Sequence, residues 1–458
     1  MTKSATEAYA LADAWLHGRG TTEQVHQLCA LATAEDPAVA QAGTEAIFRR
    51  IVEPLGDRFD PNDCDRYLEF FSDVVDFCRH LPRGLALDEN LRSLGLPARD
   101  EFLARAQELR TLTPFAREHA DGVKKILVLS RVTLGADVAV TSVVLSHLKD
   151  VFPAAAICLL GSPKAGSLFA SDPSIRLVPI EYQRGGALLD RLHAWPALAA
   201  QVARETAGLR ADEYLVVDPD SRLTQLGLLP VAPDESSYFF FESRSYAAES
   251  GKSLGELTSQ WLGEVFGPSS GPSLPFLALP DADVARGSRL RESTENRLAV
   301  VNLGVGENLE KRLRDPFETE LLLLLLKTGY RIVLDRGAGE EELRRTGDLV
   351  AALREQGHVV APVDSAESGP ANVLTWEGSL SGLAGLIGVA DLYVGYDSAG
   401  GHIAAALGAP AIDVFAGAAS SRMRERWSPW GRQPARVIAV VPGTAPANVL
   451  RRIQEQLE

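Results

Sequence analysis

Cysteine is scarce: four in 458 residues, Cys29, Cys64, Cys78 and Cys158, with no C-x-x-C spacing among them. Such a set supports neither a zinc knuckle nor a disulfide framework. Long apolar runs are missing too. The longest aliphatic stretch is Leu321–Leu326, far short of the roughly 20 residues a bilayer span needs, and no basic-then-apolar signal precedes it. The expected location is the cytoplasm, with a peripheral place at the inner membrane left open. Positive charge is in deficit as well: Lys plus Arg number 46 against 61 Asp plus Glu, a net −15. A field of that sign repels a polyanionic backbone, so nucleic acid is not an expected partner. What is present is a globular balance of 46% hydrophobic and 23% charged residues, which excludes a disordered or collagen-like chain. The length suits two or three domains of roughly 100–200 residues each.

Residues 1–120 read as a helical module. Tyr67, Phe70, Phe71, Val74, Val75 and Cys78 recur at helical spacing, and no convincing strand interrupts them. A calcium loop at Asp60-Pro-Asn62-Asp-Cys64 fails for want of an oxygen ligand at Cys64 and of the required glycine. From Lys124 onward, short β-branched runs alternate with helical segments, the pattern of βαβ units around a parallel sheet. The first unit is Lys125–Ser130, a helix over 138–150 and a strand over 156–160; strands follow at 175–180, 214–218 and 238–241. Gly267–Pro280, rich in Pro, Ser and Gly, reads as a linker. A second α/β series has strands at 298–303, 330–334, 358–361, 373–376, 391–394, 411–415 and 436–441. The domains expected are therefore 1–120, 121–280 and 281–458, with a ligand cleft between the carboxyl ends of the two sheets.

The most informative segment runs from Asp391 to Pro410. A strand ends at Gly395, a polar glycine-rich turn follows, and a short helix stops at Gly408 and Pro410. Free amides at such a helix start can hold a diphosphate. Ser398, Ala399, Gly400 and Gly401 would let a ligand approach the backbone, Asp397 would accept from ribose hydroxyls, and His402 would face the phosphates. The plainer reading is a helix cap and a core histidine.

DLYVGYDSAGGHIAAALGAPAIDVF resembles the late donor-site motif of the heptosyltransferase family, glycosyltransferase family 9, and Arg426-Trp427-Ser-Pro429-Trp430-Gly431 resembles that family's Trp-Gly-Pro-Tyr-Gly stretch. Tyr396 stands where asparagine is usual. Arg131-Val-Thr-Leu134-Gly135-Ala136-Asp137 is similar to the family's Leu-Gly-Asp loop, with Ala136 as one extra residue. The resemblance implies that Asp137 is the catalytic base; the plainer reading is an N-cap. The loop from Asn302 to Arg312, with Gly304, resembles the family's Asn-Pro-Gly-Ala and Lys-Arg-Trp loop. It implies Lys311 on the donor diphosphate, with Arg312 in reserve. Asp335 to Glu341 is similar to its Gly-Gly-Pro-Gly-Glu stretch and points Glu340 or Glu341 at the nucleoside. Arg131, Arg222 and Gln225 fall on the acceptor side.

The resemblance implies a GT-B architecture, two Rossmann-like α/β domains facing a cleft, preceded here by an all-α domain, with the helix over 447–457 returning to the first of them. The implied activity is inverting transfer of a heptose or hexose-like sugar from a nucleotide-diphosphate donor to a glycan, lipid-linked or protein acceptor. It needs no metal and no cofactor beyond the donor as co-substrate. The helical module is left for a protein partner or self-association. Two rivals stand beside this reading. A nicotinamide-type Rossmann enzyme is disfavoured because the third glycine is replaced by Leu309. A nucleotide-sugar-binding scaffold without catalysis is the other.

Overall fold

The structure, a computed structural model, describes residues 3–18, 20–182, 186–306, 308–365 and 371–457. Two parallel sheets organise it. The first contains β1 (Lys125–Leu129), β2 (Ala156–Gly161), β3 (Ile175–Pro179), β4 (Tyr214–Asp218) and β5 (Tyr238–Phe240), in the order β3-β2-β1-β4-β5. The second contains β6 (Arg297–Asn302), β7 (Tyr330–Asp335), β8 (Val360–Pro362), β9 (Val373–Trp376), β10 (Leu392–Tyr396), β11 (Ala411–Phe415) and β12 (Arg436–Ala439), in the order β12-β11-β10-β6-β7-β9-β8. Central strands such as β1 and β4 are buried almost throughout and read as near-continuous apolar runs, which made them legible in sequence. In β1, Ile126 and Val128 face one core while Leu127 and Leu129 face another. Residues 267–280 are irregular, in keeping with a linker.

The helix after β1 starts a turn earlier than its apolar pattern suggests. Leu134–Ala136 is α-helical, Asp137–Thr141 widens into a π-turn closed by Ser142 N–H on the Asp137 carbonyl, and Ser142–Val151 resumes the α-helix. A π-turn holds one more residue than the corresponding α-turn.

The helical module begins with Lys3–His17, and its longest helix is Pro61–Arg79. That helix opens with proline in its first turn and Asp60 accepting from the Asn62 amide at 2.9 Å, so the failed calcium loop is a helix cap. Its buried stripe from Tyr67 to Cys78 joins one continuous core with Leu127, Leu129, Leu160, Tyr214 and Val216 of the first sheet. These helices cover one face of the first sheet and share its core.

A correction concerns the C-terminal helix, Pro446–Leu457. It buries Val449 and Ile453 in the core of the second sheet, beside the helix Phe317–Lys327, and does not return to the first domain. The bridge is made by the helix Ser421–Trp427. Arg426, 2% exposed, donates to the carbonyls of Lys252 (2.7 Å), Ala247 (2.8 Å) and Ala248 (3.1 Å). The Trp427 ring meets Phe59 of the module, Arg131 of the first sheet unit and His402 of the second. No helix among the described residues is long and apolar enough to cross a membrane.

Two outcomes follow. Phe71→Ala should cost about 3–5 kcal/mol and lower the stability of module and first sheet in one denaturant transition; two separate transitions would show independent units. Arg426→Met should cost about 2–5 kcal/mol, because the carbonyls it serves lose a buried charged donor. An unchanged urea midpoint would contradict that role.

Candidate active site

Loops at the carboxyl ends of β6, β7 and β10 build one side of the site. Asn302, at the end of β6, donates to Asp335 at 2.6 Å and accepts from the Gly304 amide at 3.0 Å. Burial pushes the Asp335 carboxyl up to about 6. Glu342 accepts from the amides of Gly306 (3.3 Å) and Ala338 (3.1 Å), tying the two loops together. Glu340 and Glu341 are exposed, so the glutamate at these loops lies one or two residues further on than expected. Glu307 lies outside the described residues.

Lys311 ends a short 3-10 turn and its Nζ donates to Asp397 Oδ2 at 2.5 Å. Distant motifs therefore meet at this pair. Arg312 is not a reserve for the phosphates: its guanidinium is held by Glu318 at 2.9 Å and Asp315 at 2.8 Å. Glu318, buried, also binds Arg345 at 2.5 Å and accepts from the Tyr396 hydroxyl at 3.2 Å, while that hydroxyl accepts from the Leu313 amide at 3.2 Å. Tyr396, the departure from asparagine, thus fastens the loop that carries Lys311.

The helix Ala399–Leu407 begins with Ser398 at its N-cap, whose side chain makes no capping hydrogen bond among the described residues. Its small residues serve packing, which corrects their expected role. The space above Gly400 is filled by the Tyr393 hydroxyl. A side chain on Gly401 would meet Pro429 at 3.2 Å and Asp413 at 3.5 Å, and Ala399 lies within van der Waals reach of Gly135. His402 is buried with its Nδ1 unpartnered among the described residues, and burial pushes its imidazole down to about 4. Asp413, on β11 beneath it, is wholly buried with neither carboxylate oxygen bonded among the described residues. Burial first and the neighbouring Asp397 second hold its carboxyl well above the usual range. An aspartate within the apolar strand AIDVF is the one sequence signal that pointed to it.

On the side of the first sheet, Asp137 is 1% exposed. Ser130 Oγ lies 2.9 and 2.8 Å from its two oxygens, and Oδ1 also accepts from the Arg131 amide and the Thr141 hydroxyl at 2.8 Å each. Burial raises its pKa against these bonds. In this arrangement the carboxylate braces its own loop and is closed to an acceptor. That loop is strained, with Val132 at φ 72°. Arg131 is buried too, donating to the Pro219 carbonyl (3.0 Å) and to Ser243 (2.9 Å), so it supports the loops and does not face a ligand. Arg222 and Gln225 do line a cavity, described below.

Residues 314–448 match the family model described as Glycosyltransferase family 9 (heptosyltransferase). The chain is a glycosyltransferase with a family 9 domain. A family 9 glycosyl transferase from Veillonella parvula superposes with TM-score 0.52 at 16% identity, over 73% of this chain and 97% of its own. The E. coli ADP-heptose LPS heptosyltransferase II gives TM-score 0.50 at 19% identity, over 73% of this chain and 98% of its own. Both share the GT-B fold with this glycosyltransferase. No curated protein matches it in sequence.

Tyr396→Phe in the glycosyltransferase should cost about 1–3 kcal/mol in denaturant titration, since a buried glutamate and an amide lose a partner together. A cost below about 0.5 kcal/mol would mean the Lys311 loop is held otherwise. His402 should stay neutral in the folded protein down to about pH 4, so its ring signals in NMR should not move between about pH 7 and 5. Because only the unfolded chain takes up that proton, this site's contribution to stability is full above about pH 6.5 and falls as the pH drops toward 4.

Proposed function

We propose that the enzyme transfers a heptose or hexose-like sugar, with inversion, from a nucleotide-diphosphate donor to a glycan, lipid-linked or protein acceptor. One observation carries the reading: a lysine cation, Lys311, stands beside the start of the helix Ala399–Leu407, so cation and amides converge where a diphosphate would lie. A diphosphate competes with Asp397 for Lys311. Asp397, released, accepts from donor hydroxyls, and Lys311 stabilises the charge that grows on the leaving diphosphate. That assignment calls for no metal and no further cofactor.

The acceptor oxygen attacks the anomeric carbon from the side opposite the diphosphate, its bond forming as the bond from that carbon to the diphosphate oxygen breaks; the electron pair leaves with the nucleoside diphosphate and the acceptor proton passes to a base. Asp137 is the proposed base. Its burial makes it a stronger base than an exposed carboxylate, and its engagement requires that Ser130 and the Arg131 amide let go of it. ADP-heptose, the donor for which the E. coli heptosyltransferase II is named, is the first to try, then GDP, UDP and dTDP sugars.

The test is release of nucleoside diphosphate from that panel. Wild type should turn over at least one donor, and Asp137→Asn should lower the rate roughly 10²–10⁴-fold with donor binding within a few-fold. Wild-type turnover in Asp137→Asn would leave Asp137 as a brace only. A donor that binds yet is neither hydrolysed nor transferred under any condition would favour the scaffold reading, which the closed Asp137 keeps in play.

A further inference from the structure

We infer that the helical module forms one wall of the acceptor site and that this site grips an anionic group, phosphate or carboxylate, on a hydroxylated compound. That the bound compound is the acceptor rests on the transferase reading; that an anion binds does not. Beyond the carboxyl ends of the first sheet lies a cavity of about 160 Å³, far more than the roughly 15 Å³ a single water needs. The sheet side contributes Tyr182, Arg191, Arg222 and Gln225; the module contributes Phe48 and Tyr67 and, beside Arg49, the carboxylates Glu45, Glu53 and Asp57.

The charges in this cavity are unevenly matched. Arg244 is committed to Asp220 at 3.2 Å and Asp57 at 3.8 Å. Arg191 lies over the Phe48 ring at 4.2 Å, and its Nε has no hydrogen-bond partner among the described residues. Neither Arg191 nor Arg222 makes an ion pair within 4.0 Å among the described residues, and Arg222 and Arg49 both repel Arg191, which Glu53 attracts in part. Arg191 and Arg222, outside any ion pair within 4.0 Å among the described residues, are complementary to an anion, which each can grip through two parallel N–H donors.

The other groups are set for hydroxyls. Gln225 accepts from the Tyr67 hydroxyl at 2.5 Å and donates to the Arg222 carbonyl at 2.8 Å, so the module fixes the loop that presents Arg222. That loop holds three non-glycine residues at positive φ: Asp220 (67°), Gln225 (52°) and Leu226 (58°). Tyr182 also lines the adjoining cavity with Ser130 and Val132, and Ser130 is the residue that holds Asp137. The anion subsite therefore neighbours the loop of the proposed base.

The experiment is calorimetric titration of the full chain with glucose 6-phosphate, glucuronate and glucose, with ADP titrated in parallel. At least one of the two anions should bind tenfold or more tighter than glucose, and the stronger of them identifies phosphate or carboxylate. Arg191→Gln and Arg222→Gln should each weaken that anion about tenfold, with ADP titrating as in wild type. Matching thermal unfolding curves would establish that the variants fold. Anions no tighter than glucose, or indifferent to Arg191 and Arg222, would overturn the inference even where ADP binds. Anion binding that behaves as expected while ADP fails to bind would uphold the inference and count against the donor reading alone.

Discussion

Arg426 and Trp427 hold the parts of the molecule in one relation. The guanidinium satisfies three backbone carbonyls of the 247–252 loop from inside the protein, and the neighbouring indole touches the module, the first sheet unit and the donor-side helix through Phe59, Arg131 and His402. A buried charge of this kind is tolerated only when its donors are used, so the loop and the helix must keep this geometry or expose it to water. Gly135 of the first sheet unit also approaches Ala399 of the donor-side helix closely.

Much of the architecture was legible because it is local. Parallel strands buried on both sides leave apolar runs, and proline, glycine and capping aspartate mark the helix ends. Partners were not legible. Spacing placed Lys311 and Asp397 in separate loops, and only the fold of the second sheet brings them to 2.5 Å. The glycines at 400 and 401 suggested backbone open to a ligand, but side-chain direction decides that, and Tyr393 and Asp413 occupy the space. The helical module illustrates the same limit. Its amphipathic stripe was plain, yet nothing in its period told whether the apolar face met another helix or a sheet.

The chemistry proposed depends on exchange of partners. Lys311 is bound to Asp397 and Asp137 to Ser130, so each group assigned a role already has an internal partner. A donor diphosphate supplies a charge that can replace Asp397, and this links donor binding to the freeing of a carboxylate for sugar or ribose hydroxyls. Differential binding of this sort raises specificity, because a ligand without the diphosphate leaves the ion pair in place.

The claim that Lys311 meets the donor diphosphate is tested most directly by calorimetric titration of adenosine, AMP and ADP into wild type and Lys311→Ala. The account predicts that ADP affinity falls about ten- to a hundredfold in the variant while adenosine binding barely changes, the loss expected for one charge-assisted contact of about 1.5–3 kcal/mol. Equal losses for adenosine and ADP, or an unchanged ADP affinity, would contradict it.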